Sequence, residues 1–152
     1  MSTRAQLIVI QEHNNCEDDK IMMYHHHDGY PSWMLVEFLK AYNKAITQKY
    51  DHLKSFAYRC GKAASYLCSI DPAEFEPESG FNFHGDIEWF YKIFVNCQNK
   101  VGEREWQIEI YTTDNSFWDN PCEENLKLFH KRSSLSSFFT EKGILKKKFE
   151  ET

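Results

Sequence analysis

The sequence predicts an α+β domain: a four-stranded, mostly antiparallel sheet packed with about three helices, in the order β-β-α-α-β-β-α. Three observations carry this. Residues 87–95 and 106–111 alternate with a period of two about a short polar turn, which is the pattern of a hairpin. Leu53, Phe56, Ala57, Cys60, Ala64, Leu67 and Cys68 recur at the spacing of one helix face. An apolar, β-rich run opens the chain at residues 3–11.

Each element follows in turn. Residues 3–11 and 21–27 read as two strands joined by a polar loop that includes Asn14, Asn15, Cys16 and Glu17. Asp28-Gly29-Tyr30-Pro31-Ser32 is a turn, with Pro31 or Ser32 at a helix start. Leu35, Leu39, Tyr42 and Ile46 predict a helix over 33–49, and Asp51 begins a second that stops before Asp71-Pro72. A loop spans 72–83, the hairpin follows with its turn at 98–102, and 114–120 is a further loop. Residues 121–131 read as a third helix, with a short turn at 135–139. Residues 1–143 form a single domain, and 144–152 a frayed tail of mixed charge.

Composition bounds the function. The chain's 152 residues amount to one domain, at roughly 100–200 residues per domain. Four Trp, eight Tyr and twelve Phe exclude a disordered chain. A net charge of −5 argues against a basic nucleic-acid coat, so direct nucleic-acid binding is not expected. No apolar run approaches the roughly 18 residues of a membrane helix. Five widely spaced cysteines without a C-x-x-C pair read as reduced thiols, and the expected compartment is the cytoplasm.

Two polar clusters could carry chemistry. Tyr24-His25-His26-His27-Asp28 lies at the end of the second predicted strand, and His84-Gly85-Asp86-Ile87-Glu88 opens the third. Brought together, they would supply imidazole and carboxylate ligands for a zinc-like ion and a hydrolytic water. Equally, these residues could only bond the turns they flank, since Asp before or after Gly is ordinary turn chemistry. No H-E-x-x-H pattern, G-x-S-x-G elbow or glycine-rich phosphate loop is present, and no cofactor is expected.

The aromatic excess is the stronger lead. Tyr30, Trp33, Phe81, Phe83, Phe90 and Phe94 fall in loops or on the strand face opposite the inferred core, as do Tyr111, Phe117 and Trp118. Such side chains line ligand pockets or stack on bases, unless they pack beneath a helix. Arg4, Lys54, Arg59, Lys62 and Lys92 could contact phosphate, or form solvated faces.

Three segments together, Ser2-Thr3-Arg4-Ala5, His25-His26-His27-Asp28-Gly29-Tyr30-Pro31 and Gly85-Asp86-Ile87-Glu88-Trp89, match one pattern. It resembles a group of small uncharacterised proteins carried by bacteriophages and prophages, with an S/G-T-R start, an H-x-D-G-Y-P turn and a G-D-x-E-aromatic strand. Trp89 stands where Tyr or Phe is expected, and the chain beyond about Asn115 matches none of the pattern. The resemblance implies a mobile-element origin. By association with such small phage proteins, the expectation is a non-enzymatic binding protein that inhibits a host defence factor. It would occlude a CRISPR effector or sequester a nucleotide signal, so its partner is a host defence protein or a nucleotide-like ligand, with no membrane. If the motif residues form one site, Arg4 brings positive charge, while His25, His27 and Asp28 sit at the strand end. Tyr30 and Trp33 then wall a pocket, and Asp86 and Glu88 accept hydrogen bonds. The alternatives are a small metal-dependent phosphodiester or nucleotide hydrolase and a structural homo-oligomer.

Overall fold

The opening strand is apolar on both of its faces because it ends up in the middle of the sheet. In the computed structural model, which describes residues 3–98 and 103–151, β1 (Ala5–Gln11) pairs antiparallel with β2 (Asp19–His25) on one side. On its other side it pairs parallel with β4 (Trp89–Phe94). Ala5, Leu7 and Val9 look toward one layer, and Ile8 and Ile10 toward the other. The described residues complete a six-stranded sheet, order β3-β2-β1-β4-β5-β6, with β3 (Phe75–Pro77), β5 (Gln107–Thr112) and β6 (Lys127–Ser134).

Helix α1 (Pro31–Ile46) and helix α3 (Cys60–Ile70) cover one face. Met34, Leu35, Phe38, Ala41, Ala63 and Leu67 meet Leu7, Val9, Tyr91 and Ile93 there. The opposite face carries a smaller cluster, in which Phe90 and Phe94 pack with Ile87, Phe117 and Leu126. A sheet covered on both faces therefore accounts for Phe90 and Phe94 as apolar packing.

The α+β class and the hairpin stand; the details shift from the four strands and three helices expected. The helix predicted from Asp51 is divided into α2 (Asp51–Lys54), a 3-10 turn (Ser55–Tyr58) and α3, with Arg59 extended at φ −112°, ψ 134°. Tertiary hydrogen bonds win over helix periodicity here. The Trp106 indole donates to the Ala57 carbonyl at 2.7 Å, and the Cys60 amide donates to the Gln11 side chain at 2.9 Å. The predicted helix at 121–131 is instead a 3-10 turn (Glu123–Asn125) followed by the edge strand β6. Two register shifts against β5 break its alternation, which hid the period of two in the sequence.

Two predicted loops hold short elements. Residues 72–83 include β3, and 114–120 include α4 (Asn115–Asp119), whose first turn is capped by Asp114 accepting from the Ser116 and Phe117 amides. The hairpin turn at 98–102 lies largely outside the described residues, flanked by a Gln98–Arg104 bridge. The tail is docked, not frayed. Phe149 is buried against Phe138, with ring centroids 5.0 Å apart, and Phe139 bridges Leu145. Among the described residues, no helix is long and apolar enough to cross a membrane.

Candidate ligand pocket on the sheet face

The Asp28-Gly29-Tyr30-Pro31 element is built as a tight junction between β2 and α1. Asp28 takes a left-handed backbone conformation, φ 54°. The Gly29 amide donates to the Thr3 carbonyl at 2.8 Å, and the buried Tyr91 hydroxyl donates to the Gly29 carbonyl at 2.6 Å. A Cβ on Gly29 would lie 2.7 Å from the Ala5 Cβ, so the close approach requires glycine. Arg4 forms an ion pair with Asp86, and its carbonyl accepts from the Glu88 amide at 2.9 Å.

The two polar motifs meet in space. The Tyr24 ring lies between the imidazoles of His26, 4.7 Å away, and His84, 4.5 Å away. Burial and the nearby Asp86 carboxylate push the Tyr24 phenol above its ordinary pKa, while Arg4 pulls it partly back. The histidines each face a glutamate from the segment around β3. His26 is 2.8 Å from Glu76, His84 is 2.7 Å from Glu78, and His27 is 3.6 Å from Glu74. β2 ends at His25, so His25 and His27 do not share a strand face. His25 is fully buried, edge-on to Phe75 at 4.6 Å, and burial holds its imidazole below the ordinary histidine value. Among the described residues, no three His, Cys, Asp or Glu side chains come together to hold a metal ion.

Tyr30 and Trp33 lie elsewhere, beside an open surface hollow with Ser32, Lys148 and Glu150. One Glu150 oxygen accepts from both the Ser32 amide, at 2.8 Å, and the Ser32 hydroxyl, at 2.6 Å. Burial raises the Glu150 carboxyl, but these two bonds, a bond from its own backbone amide and the nearby Lys148 ammonium together leave the pKa below the usual glutamate value. The predicted site residues thus divide into an Arg4–Asp86–Glu88 strap, a buried His25, the turn with His27 and Asp28, and a separate Tyr30–Trp33 surface.

A cavity of about 320 Å³ opens on the sheet face away from α1 and α3. Its floor is a grid: Ile10 pairs with Lys20, and Ile8 with Met22 and Lys92. Phe83 packs on Phe90 at 5.2 Å, while Phe81, 57% exposed, stands at the opening. The flanking loop is pinned by the buried Gln6 amide, which donates to the Asn82 carbonyl at 3.1 Å and accepts from the His84 amide at 2.9 Å. Lys92 reaches Glu123 at 2.7 Å; among the described residues no ion pair holds Lys20.

Sequence reasoning singled out Phe81, Phe83, Phe90 and Lys92 and missed Gln6, Lys20 and Glu123. The signal was the polar residue interrupting an apolar strand face, Lys20 before Met22 and Lys92 between Phe90 and Phe94. It becomes readable only once β2, β1 and β4 are known to be neighbours. The remaining basic candidates are local: Lys54 pairs with Asp51 at 3.4 Å, and Arg59 and Lys62 sit over the Phe56 ring. Comparison of the chain with family models, curated proteins and solved structures finds no match.

Proposed function

We propose that the protein is a non-enzymatic binding protein of phage or prophage origin, which counters a host defence factor by sequestering a nucleotide-like ligand. The sheet-face cavity is the observation that carries this reading. An apolar floor, aromatic walls and a few polar groups at the opening are the usual make-up of a small-molecule site, and about 320 Å³ is within the usual range. Sequestration is favoured over occlusion, because an acidic surface that could dock on a CRISPR effector's nucleic-acid groove would draw on Glu74, Glu76 and Glu78, and these face histidines of their own chain. The phage setting rests on the three matched segments of the sequence.

The test is native mass spectrometry of untagged protein purified from cell lysate, before and after denaturation, followed by calorimetry with a panel of nucleotides. A nucleotide mass released on denaturation, or saturable binding of one panel member, is expected. A bare chain that binds none of the panel overturns the proposal. Stoichiometric zinc, manganese or iron would overturn it in favour of a metal-dependent hydrolase.

A further inference from the structure

We infer that the sheet-face pocket selects a planar aromatic ring bearing a single acidic group, and that Glu123 is the internal counter-ion this group replaces on Lys92. This rests on the cavity being a ligand site, as proposed above, and adds the ligand's charge and the residue that reads it.

The ring preference comes from the floor and one wall. Ile8, Ile10 and Met22 offer a flat apolar surface, and Phe81 and Phe83 rise beside it. A ring lying on that floor meets carbon beneath it and along the edge beside the wall, without leaving a polar group unpaired. Charge comes from the two lysines. Lys20 is on β2 opposite Ile10 and Lys92 on β4 opposite Ile8, two strand spacings apart and two residues out of step, so their backbones are about 12 Å apart. Two cations and the Glu123 carboxylate leave the pocket one positive charge in excess.

The lysines are not equivalent. The Lys92 side chain is 20% exposed, lies 5.3 Å from the Tyr111 ring centroid and is held by Glu123. A low-exposure ammonium keeps a counter-ion at all times, and an incoming anion meets it by displacing a carboxylate that is 63% exposed and readily returns to water. The limit to one acidic group comes from outside the opening. An adjoining hollow, which shares Phe81 and Lys20 with the pocket, is lined by Glu17, Asp18 and Asp19. A chain of phosphates running out of the pocket would enter that acidic strip and be repelled. The ligand chemistry is therefore a nucleoside monophosphate or another aromatic acid, not a triphosphate.

The experiment uses two dyes with the same rings, anilinonaphthalene sulfonate and its uncharged analogue N-phenylnaphthylamine, titrated by fluorescence into the full chain. The sulfonate is expected to bind one per chain, roughly tenfold tighter than the neutral dye, the worth of one charge-assisted contact. Lys92→Met should erase that preference, read as the ratio of the two dye affinities in the same variant, and Glu123→Gln should widen it. Circular dichroism and thermal melting check that both variants fold. Equal affinity for the two dyes, or a preference untouched by Lys92→Met, overturns the inference while the cavity remains a ligand site. No binding of either dye overturns the inference and the ligand-site reading together. AMP is expected to displace the sulfonate, with ATP and adenosine both weaker. A Lys92-dependent dye preference with no displacement by AMP supports the charge selection and overturns the nucleotide reading above.

Discussion

The Tyr24 ring lies 4.5 Å from the His84 imidazole, and this contact joins two polar motifs that are far apart in the chain. It forms because the backbone before β4 is drawn across β1, where Gln6 holds Asn82 and His84. The same clamp sets Phe83 over Phe90 and so shapes the wall of the sheet-face cavity.

Gln6→Leu should therefore do more than lose a side chain. It removes the partner of the Asn82 carbonyl and the His84 amide, two part-buried hydrogen bonds worth about 0.5–1.5 kcal/mol each. Urea unfolding should show that loss, and amide exchange at His84 should accelerate. Unchanged exchange at His84 would mean that the loop is held by something other than Gln6.

Gly29→Ala tests the turn. The new Cβ would sit 2.7 Å from the Ala5 Cβ, with the Thr3 carbonyl and the Ala5 nitrogen each at 3.0 Å. Backbone has to move, and the expected loss is about 1–3 kcal/mol in chemical denaturation. Gly61→Ala is the control, because nothing lies within 4 Å of the added atom; it should be neutral or stabilising.

Stability should fall as pH drops below about 6.5, with His25 as one source. Burial depresses its folded-state pKa, the Glu74, Asp71 and Asp28 carboxylates partly restore it, and His26 lowers it further. The unfolded chain, with an ordinary imidazole near 6.5, takes up the proton first. The contribution is complete above that value and is lost as pH falls through the lowered folded value, at no more than about 1.4 kcal/mol per pH unit. Urea midpoints at several pH values should show a shallower slope for His25→Phe than for the parent. An identical slope would assign the acid sensitivity to other groups.

The docked C-terminus makes its own prediction. Phe149→Ala should cost about 3 kcal/mol, because the ring is buried against Phe138 and His130. Lys146→Ala should stay within about 0.5 kcal/mol. Glu150→Gln should cost about 1–2 kcal/mol near neutral pH through its bonds to Ser32. Because the folded Glu150 pKa lies below the ordinary 4.5, that contribution is present above about 4.5 and is lost as pH falls through the lowered value. Thermal melts of the three variants at pH 7 and pH 4 distinguish these cases.

Thiol reactivity should separate the cysteines. All five are free; Cys16 is exposed, whereas burial pushes the Cys60 thiol up to about 11 and its Sγ lies 3.2 Å from the Val9 carbonyl. Mild alkylation at pH 8 followed by peptide mass mapping should label Cys16 first and Cys60 only on unfolding.

Much of the fold was legible because its signals are local. The alternation of Trp89, Tyr91 and Ile93 with Phe90, Lys92 and Phe94 marks β4 without any knowledge of its neighbours. The run Leu7-Ile8-Val9-Ile10 marks a strand with two covered faces. Elements whose local pattern is broken were misread. Leu126, Leu128 and Phe129 look helical in the sequence, yet they lead into and lie along a bulged edge strand completed by β5. Arg59 sits inside a helical pattern, yet its segment opens to meet Trp106 and Gln11.

By itself the sequence determined the α+β class, the hairpin, the two helical stripes and the turn at Gly29, all consequences of side-chain periodicity and backbone sterics within a few residues. The tertiary structure alone decided the strand order, the docking of Phe149 and Glu150, and the meeting of Tyr24 with His84. It also decided that Lys20 and Lys92 flank one floor of Ile8 and Ile10. The physical reason is that cross-strand neighbours lie about 4.8 Å apart in space at any distance along the chain. A pairing of that kind leaves no periodic trace in either strand alone, and it emerges only when the hydrogen-bond ladders and both covered faces are satisfied together.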